Sequence, residues 1–171
     1  IPTNLIYNRV KKYLNGNGKK PGESDAFSGL LELATYAKIE NNIYHKDVID
    51  ALFRQPFSAI AIPYRRYILK DGVTINAVDY DLGRNGIAYY DVDTADFRSS
   101  GVSGVGNRGH VYRNDGVDIY KDSSKYNSYY VGDIEDGEWL QYTITVLKKG
   151  YYKFILTILP GQVDGSLSIS S

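Results

Sequence analysis

Up to Pro56 the apolar residues of this chain recur at helical spacing, and beyond about Phe57 they alternate. In "NLIYNRVKKYL", Leu5, Ile6, Val10, Tyr13 and Leu14 share roughly one helical face, and Asn15-Gly16 ends the run. The loop "NGNGKKPGES" is built of turn-formers, and Ser24 is the expected N-cap of a second helix, with Asp25 in its first turn. Phe27, Leu30, Leu31, Ala34 and Ala37 then follow at i, i+3, i+4, i+7 and i+10, which is an amphipathic stripe. A third helix in "YHKDVIDALFR" groups Val48, Ile49, Leu52 and Phe53, and Pro56 stops it. Three short helices make a thin domain, so they are expected to pack against something else.

Beyond Phe57, "EWLQYTITV" sends Leu140, Tyr142, Ile144 and Val146 to one face and Trp139, Gln141, Thr143 and Thr145 to the other. "YYKFILTIL" predicts a second strand, joined to the first by the hairpin connection "LKKG". "DGVTINAVDY", "GIAYYDV", "VDIYK" and "SLSIS" are further strand candidates, separated by turn residues at 83–86, 114–116, Asp136-Gly137 and Pro160-Gly161. This pattern predicts a mainly β chain, an antiparallel β-sandwich or jelly roll, preceded by a short helical segment. The division is 1–56 for the helices and 57–171 for the sandwich.

Composition narrows the partners. The 20 basic and 20 acidic residues cancel, so no global field draws in nucleic acid or an anionic membrane. No apolar run approaches the roughly 18 residues of a membrane span, and there is no signal-peptide pattern at the start. The chain opens at Ile1 and is expected to be a piece of something longer. Without cysteine there is no thiol catalysis, disulfide or cysteine-metal site. Of the 17 tyrosines, 13 lie from Tyr64 onward, which concentrates flat faces with polar tips in the β region.

Gly104-Val105-Gly106-Asn107-Arg108-Gly109 fits the G-x-G-x-x-G spacing of a dinucleotide loop. That fingerprint needs a strand before it and a helix after it. Strand-like "HVY" and "VDI" follow instead, so the glycines are expected to serve a loop between strands. "DVDTAD" spaces Asp91, Asp93 and Asp96 somewhat like a calcium loop, but Asp96 and Val102 stand where an EF-hand requires Gly and Glu. His45, at an expected helix start, and His110 have no partner motif, and Glu135, Asp136 and Glu138 crowd an Asp-Gly turn. None of these predicts a catalytic site.

From about residue 73, "INAVDYD", "GIAYYDVD", "YRNDGVDI", "YYVGDIEDGEWLQYTITV" and "KKGYYKFILTI" occur in an order that resembles family 6 carbohydrate-binding modules. "GLLELATYAKIENNIYHKDVIDALFRQP" resembles the closing helices of a glycoside hydrolase catalytic domain. The resemblance implies a β-sandwich that stops before its last strands. It further implies a polysaccharide or oligosaccharide partner, a plant or algal β-glucan, xylan or similar. The remainder of a secreted or cell-envelope multidomain enzyme would be the other partner, with catalysis upstream of Ile1.

Family 6 modules use two alternative sites, at the loop edge and on the concave sheet face. The loop-edge aromatic is replaced here by Asp133, in "VGDIEDGEW", which can accept hydroxyl hydrogen bonds but cannot stack on a sugar. Tyr90 and Tyr112 are the remaining aromatic candidates near that edge. The concave-face position falls on Trp139, with Gln141 two residues further, and strand alternation independently sends both outward. The family's structural calcium uses two glutamates of the first strand. Asn76 and Val78 stand there, so no cofactor is expected, although Asp79 remains. Two rivals stay open: a sandwich that props up the catalytic domain without binding sugar, and a protein-interaction module.

Overall fold

The computed structural model describes residues 4–92, 106–159 and 165–171. The expected helices form: α1 (Leu5–Leu14), α2 (Glu23–Ala37) and α3 (Lys46–Phe53). Asn4 caps α1 by accepting the Tyr7 N–H at 2.7 Å, and Gly16, at φ +75°, ends it in the left-handed conformation that favours glycine. Ser24 is not the cap of α2. Gly22 occupies that position without a side-chain bond, and Glu23 and Asp25 complement the helix dipole from the first turn. At Gly29 the two helices touch: a Cβ there would lie 2.7 Å from Ile6 Cγ2, and the Gly29 carbonyl accepts from Asn4 Nδ2 at 2.8 Å.

The β-sandwich expectation is overturned. Among the described residues, six strands of two or three residues form three separate pairs. In the first, β1 (Tyr67–Leu69) runs parallel to β6 (Ile144–Val146). The other two are antiparallel: β2 (Tyr89–Tyr90) with β5 (Trp139–Leu140), and β3 (Ile119–Lys121) with β4 (Tyr129–Val131).

The reason is legible in the hydrogen bonds. "EWLQYTITV" breaks between Leu140 and Ile144 because the buried Asp81 carboxylate takes the Thr143 N–H at 2.9 Å and its hydroxyl at 2.6 Å. A side chain that captures a backbone donor removes it from a ladder. "DGVTINAVDY" forms a 3₁₀ turn at Ala77–Asp79 instead of a strand, and Val78, Asp79 and Tyr80 are buried in succession instead of alternating. "YYKFILTIL" and "SLSIS" pair with nothing among the described residues, so "LKKG" closes no hairpin, and Tyr151, Ile155 and Leu159 are exposed.

The core gathers Val78, Tyr80, Ala88, Tyr89, Val117 and Ile119, with Leu140 and Tyr142 packed against it. Among the described residues seven hydrophobic side chains are buried against nine polar or charged ones, so the interior depends on satisfied hydrogen bonds more than on apolar area. Arg113, 2% exposed, holds this interior together. Its guanidinium lies 3.6 Å from the Tyr80 ring centre and 4.8 Å from that of Tyr64, donates to the Tyr80 and Asp81 carbonyls, and pairs with Asp115 at 2.8 Å.

The glycine-rich loop does structural work. Gly104 and Val105 lie outside the described residues. Asn107 is buried, donates to the Val111 and Arg113 carbonyls at 2.9 and 2.8 Å, and accepts the Ile119 N–H at 3.1 Å. A Cβ on Gly109 would fall 1.7 Å from the Ile119 carbonyl oxygen. Only glycine fits that approach.

Candidate functional site

Cross-strand pairing builds the first candidate surface. In the β2–β5 register Tyr90 faces Trp139 and Tyr89 faces Leu140. Residues opposite one another project to the same face and neighbours along a strand to opposite faces. Tyr89 goes inward, with burial driving its hydroxyl pKa upward, and Tyr90 and Trp139 go outward, each 41% exposed. Alternation therefore placed Trp139 correctly. Gln141 is exposed too, with its amide nitrogen 3.3 Å from Asp81 Oδ2 and its backbone N–H donating to the Ala88 carbonyl at 3.0 Å.

The loop edge is organised differently. Asp133 has φ 45°, and its carboxylate accepts the Tyr120 hydroxyl. Burial and that carboxylate both push the Tyr120 pKa up. Tyr120 stacks on Tyr130, with ring centres 5.7 Å apart and planes 25° from parallel. Asp133 thus sits beside aromatic surface without supplying it. Neither tyrosine was singled out from sequence, although "DIYK" and "SYYV" held both on strand-like runs.

Tyr112 lies elsewhere, in a cleft of about 460 Å³ lined by Arg65, Asn76, Val78, Tyr112, Asn127, Ser128 and Tyr129. The Tyr112 and Tyr129 ring centres are 4.8 Å apart. Of the five sequence candidates, the structure brings together Tyr90, Trp139 and, along the same segment, Gln141, and it leaves Tyr112 and Asp133 apart from them. No family model matches the chain. No curated protein matches it either.

Several other carboxylates have structural partners. Asp79 accepts from Tyr67, Asn76 and Tyr112, and Asp81 from Gln141 and Thr143. Among the described residues no three His, Asp or Glu side chains gather as a metal site. Asp93, Asp96 and Val102 lie outside the described residues. Glu138 accepts the backbone N–H groups of Glu135 and Val92 at 2.9 and 3.1 Å, which ties the Asp136-Gly137 turn to the end of the β2 segment. His45 stands at the N-cap of α3 without a side-chain capping bond. No helix among the described residues is long and apolar enough to cross a membrane.

Proposed function

We propose that the chain binds carbohydrate, a β-glucan, xylan or similar polysaccharide, through the exposed Tyr90–Trp139 face. One observation carries this reading: two aromatic side chains stand side by side on the outer face of a strand pair whose inner face is buried. A pyranose presents C–H surface that stacks on such rings and hydroxyls that need polar partners. The Gln141 amide oxygen, beside Trp139 in sequence, is available for a hydroxyl once its nitrogen is held by Asp81. The resemblance of "GEWLQYTITV" to family 6 modules points to the same two residues.

In this reading the chain performs no chemistry. It holds an attached glycoside hydrolase, outside the cell or in its envelope, close to the substrate by raising effective concentration. A shallow polar surface of this kind binds with dissociation constants on the order of micromolar to millimolar. The helical segment suits the junction with such an enzyme, since α2 and α3 present Phe27, Leu30, Leu31, Leu52 and Phe53 to solvent.

Affinity electrophoresis through gels containing barley β-glucan or xylan tests the proposal. Retardation of the wild-type chain should weaken in Trp139→Ala and persist in Asp133→Ala. Equal retardation of both variants, with Trp139→Ala folded, would remove the Tyr90–Trp139 face from consideration. A chain that is not retarded by any polysaccharide would return the protein-interaction reading.

A further inference from the structure

The cleft around Tyr112 shares no residue with the Tyr90–Trp139 face, and its construction is not explained by packing alone. At its base the Asp79 carboxylate, fully buried, gathers four donors. Tyr67 Oη donates at 2.6 Å, Asn76 Nδ2 at 3.1 Å and Tyr112 through its hydroxyl, and Arg65 Nε stands 3.2 Å away. Arg65 also donates to the Tyr112 hydroxyl at 3.2 Å. Three of the cleft-lining side chains are therefore oriented by one buried anion.

One further feature is costly for the fold. Tyr112 has φ 68° and Asn127 φ 52°, so two of the four non-glycine residues with positive φ among the described residues line this one cleft. Asparagine tolerates the left-handed region, but a bulky aromatic residue there is strained. Such strain persists where the surroundings over-determine it, and it concentrates at ligand sites. Meanwhile the Asn127 amide and the Ser128 hydroxyl form no hydrogen bond among the described residues.

The lining thus offers two tilted tyrosine rings, unspent amide and hydroxyl groups, and the outer N–H groups of Arg65. Its volume lies within the roughly 300–1,000 Å³ of small-molecule sites. The Arg65 charge is already answered by the buried Asp79 carboxylate, which disfavours an anionic ligand. We propose that this cleft is a second saccharide site, built for a neutral pyranose. The ring stacks against Tyr129 and Tyr112, and its hydroxyls meet Asn127, Ser128 and the free edge of Arg65. Asp79 is a positioning residue, which fixes the three side chains it accepts from. The inference rests on sugar chemistry and does not depend on Trp139.

Calorimetric titration with cellohexaose, xylohexaose and, as the acidic arm, hexagalacturonate tests it. The expected wild-type stoichiometry with a neutral hexaose is two, falling to one in Trp139→Ala. In that background, Asn127→Gly keeps the left-handed backbone and should weaken the remaining binding about 3- to 10-fold, the range of one or two lost hydrogen bonds. Tyr129→Ala should abolish it, and Asn127→Gly guards against a folding defect in Tyr129→Ala. Hexagalacturonate should bind more weakly than either neutral ligand.

If Trp139→Ala alone abolishes all binding, the cleft is not a site and the proposed function stands. If Tyr129→Ala abolishes all binding and Trp139→Ala none, the cleft stands and the outer face does not. Tighter binding of hexagalacturonate, or indifference of the remaining site to both cleft variants, overturns the inference. A wild-type chain that binds no hexaose overturns both readings.

Discussion

The helices and the tyrosine-rich core both bury charged side chains, but only the core fully buries apolar ones with them. In α2 the apolar stripe is turned to solvent, with Phe27 63% exposed, and α3 leaves Phe53 70% exposed while it buries Asp47 and Asp50. In the core, Arg113, Asp79, Asp81 and Asp118 lie among Val78, Tyr80 and Ile119. The contrast shows that periodicity fixes the local conformation of a segment, while its partners decide which face is used. Helix α3 touches the rest of the chain by polar bonds. Asp47 accepts the Asn114 N–H at 2.8 Å, Lys46 donates to the Tyr64 carbonyl at 2.5 Å, and Arg54 donates to the Leu82 carbonyl at 3.1 Å.

The largest effect is expected where the buried polar network has one centre. Arg113→Met should cost about 3–5 kcal/mol, because it leaves the Asp115 carboxylate without its cation and two carbonyls without donors. Urea denaturation measures this. A loss below about 1 kcal/mol, the worth of an exposed ion pair, would mean that the core does not depend on the network.

Gly109→Ala comes next, at about 3 kcal/mol, since its Cβ would meet the backbone oxygen of Ile119 and no flexible side chain can yield. A stable Gly109→Ala chain with unaltered circular dichroism would contradict the close approach. The same measurement decides whether the G-x-G-x-x-G spacing is structural.

How much of this was legible beforehand follows from the same contrast. All three helices could be placed, because apolar spacing, Gly16 and Pro56 act locally, although the cap of α2 fell on Gly22 and not on Ser24. Trp139 could be sent outward because alternation holds over the two residues of β5. The sandwich could not be tested by alternation. Its failure turns on Asp81, distant in sequence, taking the donors of Thr143, and on the 3₁₀ turn at Ala77–Asp79. Of the cleft, Tyr112 was legible as an aromatic candidate, and Asn76 and Val78 only as positions of a calcium site. Arg65 joins it through Asp79, Asn127 through backbone at positive φ and Tyr129 through its ring contact with Tyr112, none of which leaves a periodic signal.

Acid should separate the two regions. Burial pushes the Asp50 carboxyl upward, but the hydrogen bonds from Arg54 and Gln55 and the charge of Arg54 together outweigh it and hold its pKa below the ordinary value. A depressed carboxyl contributes stability that is present above its unfolded pKa of about 3.9 and is lost as pH falls through the folded value. Hydrogen exchange should therefore show the α3 amides losing protection below about pH 4. Asp50→Asn should remove most of that acid dependence, and an unchanged profile would show that Asp50 does not anchor the helix.

The smallest effect belongs to the exposed stripe. Leu30→Gln and Leu31→Gln should change stability by no more than about 0.5 kcal/mol, as substitutions at exposed positions do. A loss of 2 kcal/mol or more, on the order of a core truncation, would mean that α2 buries this face against the chain.

Trp139 is the sole tryptophan of the chain, so its fluorescence reports on the central claim without a label. Titration with soluble β-glucan and xylan oligosaccharides should move its emission to shorter wavelength, along a saturable curve, as a sugar ring displaces water from the indole. Tyr90→Ala should weaken that curve about 5- to 30-fold, the equivalent of about 1–2 kcal/mol. An emission spectrum that stays fixed while calorimetry records sugar binding would contradict the assignment of the Tyr90–Trp139 face.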